Sequence, residues 1–575
     1  MKLRVISILV ASIMALGVMS SCGAAVENAP ATSGGAGATT TTSDGFQKFD
    51  NVQLTMLLCW NGGYKVPTDQ YNNPVAKAIR DKIGVTVEFE GIMMSETEKL
   101  NLMFASGDMP DIVNAPFWGG NGGETGVIKK GAAEGQLLPI EDILPKYPNV
   151  ARSYDFGIGK KFLEKDLQDP MFDGHLYLIP QETAGNVNHI TNWAYGVFVR
   201  GDVPEALGID ETSIKNQDQL YDFMVKARDY GFKDVNGNDI IVATTYHNGW
   251  DYGRYAESYN SPQLTSYIDN GDGTITYSFL TENWLNQHMF IWKLVNEGIL
   301  DKECFKTNDT LADTKVGNGT ALFFAAQYSV GINSTKLTGL YTSNPEMRYT
   351  PVGPMNDRNG DTLVQVESEG RNGVPCIFFP RTCSNIDAAM TYIDYVNTKE
   401  GKELAEYGIE GQTFVRNEKG QPRLIPDYLE RKAAGDYSWE DELREIGGKG
   451  YISGRLWFAN LSKDWYGENA PGDADAAVEE LEAYKLQRPA KIYPGYALSA
   501  FENEFPKWAE VSAAFFEGDQ EKEWRERAYF AETEAEARQI LIDWQERART
   551  LDNGLFLEFL DFMAEKTTSR DDIAF

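Results

Sequence analysis

Val52-Gln53-Leu54-Thr55-Met56-Leu57-Leu58-Cys59-Trp60 is a mostly apolar run, broken by Asn61-Gly62-Gly63, and it reads as a buried strand. The segment beyond that break decides the fold. Asn73 predicts an N-cap with Pro74 at the first helical position. Val75, Ala76, Ile79 and Ile83 supply the apolar face, and Gly84 stops the helix. Val85 to Glu90 is a second strand, alternating on Val85, Val87 and Phe89. Ser95-Glu96-Thr97-Glu98 is a capping box that opens a helix through Met103 to Gly107, and Asp111-Ile112-Val113 is a third short strand. This alternation predicts an α/β protein with a parallel, doubly wound sheet and crossover helices. Ligands of such sheets bind beyond the carboxyl ends of the strands. Here those ends carry Trp60-Asn61 and Asn114 to Trp118.

The middle of the chain differs in texture. Asp269-Asn270-Gly271-Asp272-Gly273 separates two short β-like runs, as in a hairpin. A helix comes next, from about Glu282 to Gly298, with Trp284, His288, Ile291, Trp292 and Val295 at core spacing. After Pro375 the strand-helix texture returns, with Cys376 to Phe379 as a strand and Asp387 to Val396 as an amphipathic helix. Similar texture on both sides of a different middle predicts a discontinuous lobe: 46–180 plus 376–450 in one, 181–375 plus 451–575 in the other.

The chain has 575 residues, 42% hydrophobic and 12% aromatic, enough for two lobes. Its formal net charge is -32, which repels nucleic acid and anionic lipid. Cys59, Cys304, Cys376 and Cys383 form no disulfide scaffold, although Cys376 and Cys383 flank a predicted strand and are open to pairing. His175, His189, His247 and His288 lack zinc-ligand spacing, which argues against a metallo-hydrolase.

At the amino terminus Lys2 and Arg4 precede an apolar run from Val5 to Val18, too short to span a membrane and suited to a secretory signal. Met19-Ser20-Ser21-Cys22 resembles a lipobox, with Met where Leu is usual. The resemblance implies cleavage after residue 21 and lipidation of Cys22. Residues 22–45 are rich in Gly, Ala, Ser and Thr and read as a flexible tether.

Several stretches, in order behind that lipobox, resemble family 1 extracellular solute-binding proteins, the lipoprotein branch of ABC importers. They are Met103-Phe104-Ala105-Ser106-Gly107-Asp108-Met109-Pro110-Asp111-Ile112, Gly135-Gln136-Leu137-Leu138-Pro139-Ile140 and Asp173-Gly174-His175-Leu176-Tyr177-Leu178-Ile179-Pro180. Further on come Asn296-Glu297-Gly298-Ile299-Leu300-Asp301, Pro351-Val352-Gly353-Pro354 and Tyr407-Gly408-Ile409-Glu410-Gly411. The resemblance implies a two-lobed, periplasmic-binding-protein-like fold with a hinge and an interlobe cleft. It also implies a lipid-anchored monomer on the extracellular face of the cell membrane, passing a carbohydrate to ABC permease subunits without catalysis. A binding protein for peptides or other non-sugar solutes, a sensor subunit and a surface glycoside hydrolase remain alternatives. Relatives carry a calcium-like loop. Asp234, Asn236 and Asn238 keep its oxygen-ligand spacing, whereas Val242 and Ala243 stand where closing carboxylates belong.

Sugars present apolar faces fringed with hydroxyls, so a binder needs aromatic platforms and planar polar groups. The candidates in Gly/Asn-rich loops, at strand ends and near the crossings are Trp60, Trp118, Trp193, Trp250, Tyr252 and Trp457, with Asn61, Glu182, Arg200, Asp251 and Arg371 as polar partners. Arg200 is equally suited to a structural bridge with Asp202, and Trp457 to a core.

Overall fold

Asn73 caps the first helix as its sequence predicts. Its side chain accepts the Ala76 N–H at 2.8 Å, and Pro74 and Gly84, the latter at φ 70°, delimit Pro74–Ile83. The computed structural model describes residues 40–59, 66–92, 97–117, 123–151, 154, 170–180, 192–246, 251–256, 267–306, 309–327, 335–353, 355–356, 366–368, 376–448, 502–516 and 520–567.

Strands β1 (Val52–Leu58), β2 (Val85–Gly91) and β3 (Ile112–Ala115) are parallel, with β1 in the middle. Two later strands complete this sheet, β4 (Ile179–Pro180) and β10 (Cys376–Phe378), giving the order β2-β1-β3-β10-β4. β10 runs antiparallel to both its neighbours, so the expected all-parallel sheet is in fact mixed. The reason is connectivity. The chain re-enters at the carboxyl edge of the parallel strands and so runs back down the sheet.

Side chains alternate across β1. Leu54, Met56 and Leu58 join Val75, Ile79, Ile83, Tyr392 and Ile393 in one core. Leu57 and Cys59 join Leu100, Phe104, Val127 and Ile128 in a second core on the other face.

The second sheet is built from β5 (Asn192–Arg200), β6 (Ile241–Thr245), β7 (Ala321–Gln327) and β8 (Tyr349–Pro351), in the order β8-β5-β7-β6. β9 (Val366–Ser368) pairs with the start of β5. Two crossings link the sheets, 181–191 from β4 to β5 and 369–375 from β9 to β10. Their ends are held in register, with Pro180 opposite Cys376 on the first sheet and Asn192 opposite Ser368 on the second.

The lobe limits differ from the sequence expectation. Residues 386–396 belong to the first lobe, with Ala405 still in its core. Tyr407, Phe414, Leu424, Tyr428, Trp439 and Leu443 instead pack with Phe198 and Phe324 of the second sheet. The chain thus changes core near the end of the helix Lys399–Tyr407, well before 450. It then touches the first lobe again, where Ile446 O accepts the Val75 N–H at 3.0 Å. Residues 502–567 build a core of their own with the hairpin Tyr267–Asp269 and Ile275–Tyr277 and with Trp284. Trp508 and Trp544 are buried there, and Trp439 is buried in the second-lobe core, as helical packing residues should be. Among the described residues no helix is long and apolar enough to cross a membrane.

Candidate ligand-binding site

The chain leaves and enters both sheets at their carboxyl edges. On the first lobe this edge is formed by Cys59, whose N–H bonds Asn114 O at 2.8 Å, and by the residues after β3. Four polar side chains are buried there: Asn114 on β3, and Glu124, Thr125 and Lys129 on the helix Gly123–Ala133. The Lys129 ammonium lies 5.8 Å from the Phe117 ring centroid. Burying a carboxylate and an ammonium is costly unless each is paired, and all four polar groups are engaged by neighbours. Cys59 is inert, because burial, reinforced by the Glu124 charge, pushes its thiol far above the normal range. Glu124, Thr125 and Lys129 escape the sequence reading. The local signal for them is the Gly119-Gly120-Asn121-Gly122-Gly123 run, which delivers a helix start to a strand end.

On the second lobe the same edge carries the ends of the parallel pair β6 and β7 and, antiparallel beside them, the start of β5. Tyr195 is opposite Gln327, and Trp193 is opposite Glu367 of β9. Trp193 therefore stands on a strand next to a crossing, although its side chain lies outside the described residues. Trp60, Asn61, Trp118, Glu182, Trp250, Arg371 and Trp457 also lie outside them.

Three of the predicted polar or aromatic contacts have other partners. Arg200 is buried. Its Nε and one terminal nitrogen hold the Asp202 carboxylate at 2.7 and 2.9 Å, and the other terminal nitrogen donates to Lys233 O at 2.9 Å and to Gly319 O. The structural bridge accounts for this side chain, which ties β5 to two turns. Asp251 and Tyr252 lie in a short helical turn that faces inward. Asp251 is buried 3.9 Å from the Arg254 Nε. Tyr252 packs against His288, Phe305 and Tyr529, with ring centroids 6.2, 5.7 and 5.4 Å away.

The loop at Asp234 does not fit a calcium ion. One Asp234 oxygen accepts the backbone N–H groups of Asn236 and Asn238 at 2.8 Å each. The other accepts Asn238 Nδ2 at 3.1 Å and the Thr320 hydroxyl at 3.2 Å. Val242 and Ala243 are buried within β6, so carboxylates are missing where the loop would close. Among the described residues no group of three or more His, Cys, Asp or Glu is placed to hold a metal. Cys376 and Cys383 are separate free thiols, as are Cys59 and Cys304.

Solved structures share this fold. The alginate-binding protein AlgQ2 without calcium ion has a TM-score of 0.58 at 18% identity, over 90% of this chain and 98% of that one. The chain shares its two-lobed α/β fold with solved substrate-binding proteins. FusA of Streptococcus pneumoniae, an ABC-transporter substrate-binding protein in complex with kestose, has a TM-score of 0.59 at 16% identity over 90% and 100% of the two chains. The N-glycan transport solute-binding protein of the same organism, in complex with Man1GlcNAc, has a TM-score of 0.51 at 13% identity over 91% and 99%. In sequence, 255 residues are 25% identical to the fructooligosaccharide ABC transporter substrate-binding protein FusA of Streptococcus pneumoniae. The match spans 42% of this chain and 44% of that relative, less than half its length. No family model matches the chain.

Proposed function

We propose that this chain is a lipid-anchored binding protein that captures an oligosaccharide and hands it to an ABC permease. The observation that carries this reading is the 255-residue sequence match to a fructooligosaccharide-binding relative, supported by the solute-binding fold. The mechanism is lobe closure. A ligand that touches both carboxyl edges stabilises the closed arrangement, and the two crossings form the hinge. Capture is reversible and involves no covalent step. Cys22 carries the lipid; the leash expected over 22–45 stops before Thr40–Thr41, which pairs with Gln47–Lys48, and Asp44 bridges to Lys82 at 2.9 Å. Acidic surface charge favours neutral over anionic glycans.

Calorimetry of the exported chain against a panel of neutral oligosaccharides tests the reading. Saturable binding with the glycan recovered unchanged is expected. Consumption of the glycan, or binding of peptides instead, overturns it. For the anchor, Cys22→Ala should release the protein from membranes or block its processing, and unchanged membrane fractionation would sink that part.

A further inference from the structure

The two crossings join the lobes at one end of the first sheet, where β10 and β4 lie, and β2 is the opposite end. The turn ahead of the helix Pro74–Ile83 wraps that far end. Gln70 there accepts the Phe89 N–H of β2 at 2.8 Å and donates to the Phe89 carbonyl at 3.2 Å. Strands spaced about 4.8 Å apart set β2 roughly 14–19 Å from β10 and β4. The turn lies at the carboxyl edge, because a crossover helix starts where its strand ends.

A segment of the second lobe reaches this far end. The helix Ser438–Glu445 is rooted in the second-lobe core by Trp439 and Leu443. One residue past its end, Ile446 packs against the first-lobe core, and its carbonyl accepts the Val75 N–H at 3.0 Å. The Glu445 carboxylate accepts the Thr68 N–H at 3.0 Å and the Thr68 hydroxyl at 3.2 Å. The fit is closest at Gly447, at φ 97°. A Cβ there would stand 2.4 Å from Asn73 Oδ1 and 2.8 Å from Val75 Cβ. Two links at one end of a sheet leave the lobes able to swing and to twist. A third contact at the other end removes the twist and leaves rotation about one axis.

We infer that residues 445–448 form a strap that pins the lobes at the end of the first sheet remote from the crossings. The strap holds the ligand-free protein in register to close. The inference rests on the lobe-closure reading proposed for the chain and adds to it a determinant of affinity. The test compares the exported wild type with Glu445→Ala and Gly447→Ala, by small-angle scattering and by calorimetry with kestose, the ligand of the structurally similar FusA. Without the strap the ligand must order the lobes as it binds, so both variants should bind about fivefold more weakly. Their ligand-free radius of gyration should exceed that of wild type, and the difference should vanish at saturation. A side chain that merely touched ligand would leave the ligand-free scattering unchanged. Glu445 and Thr68 are both exposed, so Glu445→Ala should unfold at the wild-type midpoint and carries the test if Gly447→Ala does not fold. Ligand-free scattering that matches wild type in every folded variant, or affinity within about twofold of it, overturns the strap. If wild type does not bind kestose, the carbohydrate reading fails for that ligand alone, and the ligand-free scattering still decides the strap.

Discussion

The Thr413 hydroxyl fills the space that a side chain on Gly408 would need. A Cβ built on Gly408 would lie 2.6 Å from Thr413 Oγ1 and 3.1 Å from Leu443. Gly408 ends the helix in which the chain changes core, at φ 80° and ψ -125°, where only glycine is comfortable. Thr413 then locks the turn, donating to Tyr407 O at 2.5 Å and accepting the Ile409 N–H at 2.9 Å.

Gly408→Ala should therefore cost about 2 kcal/mol or more, from backbone strain and the clash together. Chemical denaturation read by tryptophan fluorescence would measure it. A variant as stable as wild type would show that the turn relaxes without strain.

Removing Arg200 separates its structural from its ligand-binding role. Arg200→Ala strips Asp202, Lys233 O and Gly319 O of their donor, and breaking such a buried pair typically costs about 3 kcal/mol. Affinity per folded molecule should not change. A large loss of affinity at normal stability would restore Arg200 to the binding site.

The two described histidines should titrate in opposite directions. Hydrogen bonding from His175 Nδ1 to Glu141 at 2.6 Å, with the attraction of that carboxylate, raises His175 above its usual value. The pair's contribution is complete below the unfolded-state value and fades as pH rises through the raised one. His288, buried against Tyr529, is pushed down to about 3 by desolvation and should stay neutral from pH 5 to 8. NMR titration should show His175 high in wild type and lowered in Glu141→Gln, with His288 flat in both. A His288 resonance that shifts between pH 5 and 8 would contradict its burial.

Calcium should not stabilise the Asp234 loop. Unfolding midpoints with calcium and with a chelator should coincide. Asp234→Ala should cost about 1 kcal/mol or more under both conditions, because the buried Asp234 carboxylate loses its hydrogen bonds to Asn236, Asn238 and Thr320. A calcium-dependent midpoint that vanishes in Asp234→Ala would establish an ion there.

Much of this fold is written locally. The Asn73 cap, the Gly84 stop and the alternation in β2 are decided by a residue and its near neighbours, so the first β-α-β-α-β pass is legible from sequence. The direction of β10 is not, because it depends on where the chain re-enters a sheet begun over 250 residues earlier. Tyr252 sits among Gly and Asn as a binding-loop residue would, and only the packing of Tyr529 and Phe305 reveals a core role. Arg200 with Asp202 two residues on is a bridge that sequence can suggest, whereas the carbonyls of Lys233 and Gly319 that complete it come from distant turns. Glu521 and Trp284 meet across 237 positions, a separation at which periodicity carries no information.

The position of β10 between β3 and β4 also sets a schedule for folding. Until residue 378 has been synthesised, the first sheet ends at β3, and β4 has no neighbour to pair with. Every residue of the second sheet is made before β10 can join the two. The growing chain must hold long-range, unpaired strand edges open for that interval, which favours slow folding and exposure to misassembly. Substitutions in Cys376–Phe378 should therefore reduce the yield of folded protein more than their effect on the finished protein's stability would suggest.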